Sequence, residues 1–177
     1  MKARIPFAAL LLGAAAASWS PLLASSTLEV LALDRLVAYA DRICEVEVLE
    51  KRCVMREDGS IETRYLVSTL IPLKGAQSSI QEIRMPGGEV ADRGMILPGM
   101  PEFQVGERHI LFLSSESPET GWRMPIGMES GCFRVDLAKE DQGRVVIWPS
   151  LPQDGREVAS NSYERFLALV QDEIQRS

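Results

Sequence analysis

The chain has 177 residues, with 19 Lys and Arg against 25 Asp and Glu, and a net charge of −6 at pH 7. Without a leader, that length makes one domain. An acidic surface repels phosphate backbones and anionic lipid heads, which argues against nucleic-acid binding and membrane-surface adhesion.

In chain order, Lys2 and Arg4 precede an uncharged, mostly apolar run from Ile5 to Ala17, and small residues follow at Ser18, Ala24 and Ser25. A charged start, an apolar middle and a small-residue exit are the marks of a secretory signal peptide. The run is shorter than the roughly 18 residues a membrane-spanning helix needs. The sequence therefore predicts a signal peptide over residues 1–24 and one mature domain over 25–177, secreted or periplasmic. Loss of Lys2 and Arg4 leaves 17 basic against 25 acidic residues, or −8. No later run approaches spanning length, and no Cys at the exit invites a lipid anchor.

Leu33–Ala40 reads as a short helix, with Asp34 as its N-cap and Leu36, Val37 and Ala40 on one face. In Arg42–Val54, Cys44, Val46 and Val48 alternate with Glu45 and Glu47, the period of a half-buried strand. A turn at Arg56–Gly59 leads into a return strand over Ser60–Leu73, so the two form a long hairpin ended by Lys74-Gly75. Ile80–Met85 is a third strand, stopped by Pro86-Gly87-Gly88. A Gly- and Pro-punctuated loop then runs to Gly106, with short extended pieces such as Met95–Leu97. Further strands are predicted over Glu107–Leu113, Trp122–Ile126, Cys132–Leu137 and Arg144–Trp148. Asn161 and Glu164 have the spacing of a capping box. After them, Tyr163, Phe166, Leu167, Val170 and Ile174 form the apolar stripe of a closing helix. Many short strands with turn signals predict an all-β protein. The expected form is a small OB-like β-barrel with a short N-terminal helix and a C-terminal amphipathic helix; a β-sandwich is the alternative.

Three cysteines remain, Cys44, Cys53 and Cys132. In one continuous strand, Cys44 and Cys53 would lie about 30 Å apart at about 3.3 Å per residue, whereas a disulfide needs Cα atoms about 4.4–6.8 Å apart. A bridge from Cys132 to Cys44 or Cys53 fits more easily. The alternatives are no disulfide at all and, for Cys44, a plain buried thiol.

The order of elements carries a running pattern: Leu73-Lys74-Gly75, Pro86-Gly87-Gly88, Pro98-Gly99-Met100-Pro101-Glu102-Phe103, Gly106-Glu107, Phe112-Leu113 and Gly131-Cys132-Phe133-Arg134-Val135. It resembles an uncharacterised family of exported bacterial proteins over about Leu33 to Val135, with Cys132 where that family more often carries a polar residue. In topology, the long hairpin, Lys-Gly break and next strand are similar to the OB-like module of netrins and tissue inhibitors of metalloproteinases. Those inhibitors place an N-terminal cysteine amine on a metal. The expected mature start, between Ser18 and Ser25, offers no such cysteine, so that mechanism does not carry over.

No residue set spells out catalysis. His109 is the only histidine and has no ligand-type residue at a spacing suited to zinc, so a structural role is expected. Glu45 and Glu47 share a strand face, where a pair is sterically possible, but alternating acids read more simply as a wet side. Glu57-Asp58-Gly59 lacks the spaced ligands of a calcium loop. Ser130 sits in no nucleophile elbow, and Pro86-Gly87-Gly88 lacks the Lys-Ser/Thr of a phosphate loop. No cofactor is implied. The expectation is a non-enzymatic module binding another exported protein, such as a protease; a hydrolase using His109 with a nearby carboxylate is the alternative. The binding surface is placed on the loop from Pro86 to Phe103. There Met95, Met100 and Phe103 supply apolar contact, and Arg93 and Glu102, with Glu89 and Asp92, supply a polar rim.

Overall fold

Leu36, Val37 and Ala40 line the buried face of helix α1, Leu33–Tyr39. Its N-cap is Ala32, with no side-chain cap; Asp34 lies inside the first turn, where a carboxylate complements the helix dipole instead of capping it. The computed structural model describes residues 32–137, 143–147 and 160–177. The expected signal peptide and Trp148 lie outside the described residues.

The long hairpin forms as its alternation predicts. Strands β1 (Arg42–Met55) and β2 (Ile61–Lys74) pair antiparallel, with register shifts at Ile43/Cys44, Glu45/Val46 and Val48/Glu50. Irregularities of this kind bend and twist a strand. Then come β3 (Ile80–Pro86), β4 (Gly88–Val90), β5 (Arg93–Met95), β6 (Arg108–Leu113), β7 (Cys132–Leu137), β8 (Arg144–Ile147), β9 (Ser160–Ser162) and helix α2 (Tyr163–Arg176). Seven strands make one antiparallel sheet in the order β3-β2-β1-β6-β7-β8-β9, and β4-β5 is a separate small hairpin.

The protein is mainly β with two helices, as expected, but the sheet does not close. Among the described residues its outer strands, β3 and β9, do not pair with each other, and a barrel requires that last ladder. Trp122–Ile126 is not a strand. Its only ladder contact is the isolated bridge of Leu113 with Pro125, since proline has no N–H to continue a ladder. The cap of α2 also differs from expectation: it is Ser162, not Asn161, whose hydroxyl accepts the Arg165 N–H at 3.4 Å.

The central strands are buried on both faces, so Ile110–Leu113 reads as a continuous apolar run. One face carries Ile43, Ile110, Phe112, Phe133, Val135 and Val146 and is covered by α1 and by Tyr163, Phe166 and Val170 of α2. Phe112, Phe133 and Phe166 form an aromatic chain from sheet to helix, with centroid spacings of 5.5 and 4.7 Å. The opposite face carries Cys44, Val46, Val48, Tyr65, Val67, Ile83, Met85 and Leu111, and the chain segment reaching Phe103 closes over it.

The cysteines need correction. All three are free thiols, so neither expected bridge from Cys132 is formed. Cys44 faces Leu111 and Leu111 faces Cys132 across neighbouring strands. At about 4.8 Å per strand, Cys44 and Cys132 are held about 10 Å apart, beyond disulfide reach. Cys53 faces Thr63 on β2, with Sγ 3.4 Å from the threonine hydroxyl. Cys44 is the buried thiol that its alternation implies, and burial pushes its pKa up to about 12.

Polar groups inside the fold are tied down. Glu62, 1% exposed, accepts from Arg56 at 2.9 Å, Arg64 at 2.7 Å and the Trp122 indole at 2.9 Å. This clasp fastens the tip of the long hairpin to the segment before Pro125. Burial works to raise the Glu62 pKa, but the three donors outweigh it and hold the group below its ordinary range.

Candidate functional site

Pro86-Gly87-Gly88 does more than stop β3. Gly87 and Gly88 have φ of +107° and +123°, which turns the chain back over the sheet. Gly88 then lies so close to β1 and β2 that a Cβ there would sit 2.6 Å from the Thr63 hydroxyl and 2.7 Å from Cys53 Sγ. The Thr63 hydroxyl donates to the Gly87 carbonyl at 2.7 Å and fixes the fold-back. From this point the β4-β5 hairpin and the following turn arch over the strand ends, with Met100 N–H bonded to Leu97 O at 3.1 Å across Pro98-Gly99.

Beneath the arch lies a cleft of about 460 Å³. Its apolar lining includes Met85, Met95, Ile96, Leu97 and Met100, and its floor includes Cys53, Thr63 and Tyr65. Lys51 and Glu102 form an ion pair at its edge, and hydrogen bonding and charge from Lys51 hold the Glu102 carboxyl below its usual range. Ile96 is 92% exposed, a bulky aliphatic side chain carried outward at the rim.

Of the residues predicted to bind, the fold brings Met95, Met100, Glu102 and Glu89 together in this cleft. Phe103 is not available for contact there. It is 2% exposed, because its ring packs on Tyr65 at 5.1 Å and on His109 at 4.6 Å as part of the core. Arg93 is not among the lining residues either; its guanidinium reaches Met55 Sδ at 3.8 Å on the outer side of the hairpin. Lys51, Cys53, Thr63 and Tyr65 escaped the sequence reading. They sit in strands whose alternation looks like any other, and only the register of β1 on β2 shows which of them end up under the arch.

A second cleft of about 360 Å³ adjoins the first, sharing Pro101 and Glu102, and His109 forms part of its wall. His109 is 6% exposed. Burial lowers its pKa, and the opposing pull of Glu107 does not restore it. Glu107 is held below its ordinary range: burial works against this, but the Gln104 N–H and the His109 ring prevail. A carboxylate only accepts, so the 3.1 Å contact is His109 Nε2–H donating to Glu107 Oε2. The neutral ring therefore keeps a bare lone pair on Nδ1. That atom is buried and has no hydrogen-bond partner, an omission that costs about 1–3 kcal/mol.

This arrangement supplies a base and its orienting acid but no nucleophile. Among the described residues, the only side chain hydrogen-bonded to His109 is Glu107. Cys132 lines the same cleft, but its thiol points to the Met128 carbonyl at 3.6 Å, and burial raises its pKa well above the ordinary value.

The two acids of β1 part company. Glu47 pairs with Arg108 at 3.1 Å on the surface. Glu45 is 0% exposed and lies under α2, so the wet-side reading fails for it. The Tyr163 hydroxyl donates to its Oε2, while Oε1 has no hydrogen-bond partner and sits 3.7 Å from the Arg144 guanidinium. Arg144 in turn lies over the Tyr163 ring, 3.8 Å from its centroid. Burial, and then the contact with Glu45, push the Tyr163 pKa up to about 12.

Among the described residues no three His, Cys, Asp or Glu side chains converge as metal ligands, and no helix is long and apolar enough to cross a membrane. In comparisons with protein-family models, curated proteins and solved structures, nothing matches this chain.

Proposed function

We propose that this protein is an exported, non-enzymatic binding module. Its cleft under the 86–102 arch receives an apolar side chain of another exported protein, such as a protease. The observation that carries this reading is the preformed cleft of about 460 Å³ with Met85, Met95, Leu97 and Met100 on its walls. Pro98 and Pro101 stiffen its cover, which lowers the ordering cost of binding. Methionines adapt to varied shapes, and the Lys51–Glu102 pair supplies part of a polar rim. Removal of residues 1–24, membership of the exported family sharing the Pro-Gly-Gly and Pro-Gly-x-Pro-x-Phe pattern, and descent of the bulged hairpin from an OB-like barrel belong to the same proposal.

The test is capture from the native secretome by immobilised protein, with Met100→Ala beside the parent. Met100 packs only partly against the core. The substitution should abolish capture of any specific partner while costing about 1 kcal/mol or less of stability, small beside the about 2–5 kcal/mol of a fully buried Met. Unchanged capture by Met100→Ala would remove the cleft from the proposal. A hydrolase built on His109 and Glu107 is the second reading, favoured only by their 3.1 Å contact. Turnover of ester or peptide substrates, lost in His109→Gln, would establish it instead.

A further inference from the structure

Three features stand out beyond the partner reading: the buried Glu45–Tyr163 contact, the exposed Ile96 and the sulfur atoms of the first cleft. The first lies sealed beneath α2, and for the second nothing shows what covers it. The third is a set of donors. Cys53, Met85, Met95 and Met100 all line that cleft. Cys53 is the only one of the three thiols that is not buried, and Met95 and Met100 are likewise partly exposed.

Register explains why these side chains meet. Residues paired across antiparallel strands point to the same face. Cys53 pairs with Thr63 and Thr63 with Met85, so all three turn toward the arch. Above them, Gly88 pairs with Met95 in the small hairpin. The direction a Cβ would take from Gly88 leads to within 2.7 Å of Cys53 Sγ, so the Met95 side chain leaves the roof on the side that faces this sulfur. Gly88 itself fills none of the space between them. Met100 enters from the turn that follows, packed partly against the same core. The Thr63 hydroxyl already gives its proton to the Gly87 carbonyl at 2.7 Å, so the 3.4 Å contact is Cys53 S–H donating to Thr63. The sulfur lone pairs take no part in that weak bond.

We propose that Cys53, Met95 and Met100 form a binding site for a soft monovalent cation, Cu(I). On binding, Cys53 S–H gives its proton to solvent, and the thiolate and two thioethers each donate a lone pair to the ion. Thiolate and thioether sulfurs select Cu(I) over hard cations, which take oxygen. The charge suits the setting. One thiolate and one Cu(I) make a neutral centre, which apolar walls tolerate, whereas a divalent ion would leave a net charge among them. The carboxylates of the cleft are not needed: Glu102 is held by Lys51, and Glu89 is exposed. The site is built without the imidazole and carboxylate ligands that zinc or calcium would ask for. Methionine's three rotatable bonds let Met95 and Met100 adjust to the ion, while Met85, 1% exposed, stays as the core floor beneath it.

The experiment gives Cu(I) alone to the full chain without oxygen, against a competing Cu(I) chelator, and follows the methionine methyl signals by NMR. Cu(I) is diamagnetic, so its ligands stay visible. The expected result is one ion retained per chain, with the methyls of Met95 and Met100 shifted and those of Met124 and Met128 unmoved. Cys53→Ser should weaken retention about a hundredfold or more, and Met95→Leu and Met100→Leu about tenfold or more each. Leucine keeps the apolar bulk at nearly the same volume, so both of these variants stay folded. The inference does not rest on the binding-module reading, and Met100→Leu separates the two: it removes the sulfur but leaves an apolar wall for a partner side chain. Unchanged retention in Cys53→Ser, or in both methionine variants, overturns the site. Retention with the Met95 and Met100 methyls unmoved also overturns it, since a lone thiol then holds an adventitious ion only. Failure of the folded parent chain to take Cu(I) from the chelator does so as well.

Discussion

The two faces of the sheet are sealed in different ways. On one, α1 and α2 lay regular apolar stripes over Ile43, Phe112, Phe133 and Val146, and even the buried Glu45 is closed in with Tyr163. On the other, an irregular arch crosses Val48, Tyr65 and Met85 and leaves space beneath it, and a histidine with one nitrogen unpaired stands at the adjoining second cleft. A helix presents a side chain to the core at every turn and covers a face without gaps. A Pro- and Gly-bearing loop makes fewer contacts and leaves clefts, which is why binding residues favour loops held on rigid scaffolds. Stability and recognition should therefore separate by face.

The strongest test of that separation is Phe133→Ala. Phe133 links Phe112 to Phe166 at the centre of the helix-covered face, and its loss should cost about 3–5 kcal/mol in denaturant unfolding. Where the variant still folds, the cleft should bind as before; a stability change under 1 kcal/mol would mean α2 is not the main cover. Next in size is Gly88→Ala. Positive φ together with contacts of 2.6 and 2.7 Å should cost about 1–3 kcal/mol and displace the arch. Binding should drop more than the stability loss implies, since the residue sits at the cleft floor. Equal losses would mean the arch is only a lid on the core.

The smallest effect is a difference in pH response. The folded state resists protonation of His109, so its contribution is complete above the ordinary value of about 6.5. It shrinks as pH falls from there toward the depressed folded value, and is constant below that. His109→Gln should flatten this first acid step. Glu62, also depressed, contributes above its ordinary range and is lost at lower pH as its folded value is passed, so the second step should survive in that variant. On the alkaline side both faces respond alike. Tyr65 and Tyr163 each lie at about 12 when folded, and stability should fall as pH rises from about 10 toward that value.

Local pattern made the regular elements legible. Cys44, Val46 and Val48 announced their strand, and Tyr163, Phe166 and Val170 their helix, because each repeats at the period of its own backbone. What the pattern could not show was register and closure. Glu45 looked solvated because alternation names two faces without saying that a helix covers the second. Phe103 and Met100 stand three residues apart in one loop, yet Phe103 is core and meets only the second cleft while Met100 lines the first, a difference set by Tyr65 on a distant strand. The small hairpin at Gly88–Val90 and Arg93–Met95 went unread because three residues are too few for any period to appear.

The unclosed sheet also bears on how copies of the chain behave when crowded. An unpaired outer strand offers a ladder on which another chain can add itself, the usual start of edge-to-edge aggregation. On β3 the offer is blocked in the middle: Arg123 N–H already occupies the outward carbonyl of Arg84 at 3.0 Å. Arg123 is held there by Asp41 and the Ser114 carbonyl, so the cap cannot easily swing away. Glu82 and Arg84 add charge along the same short strand, and at the far edge β9 is only three residues long. The open sheet thus denies neighbouring molecules a strand to extend at either edge.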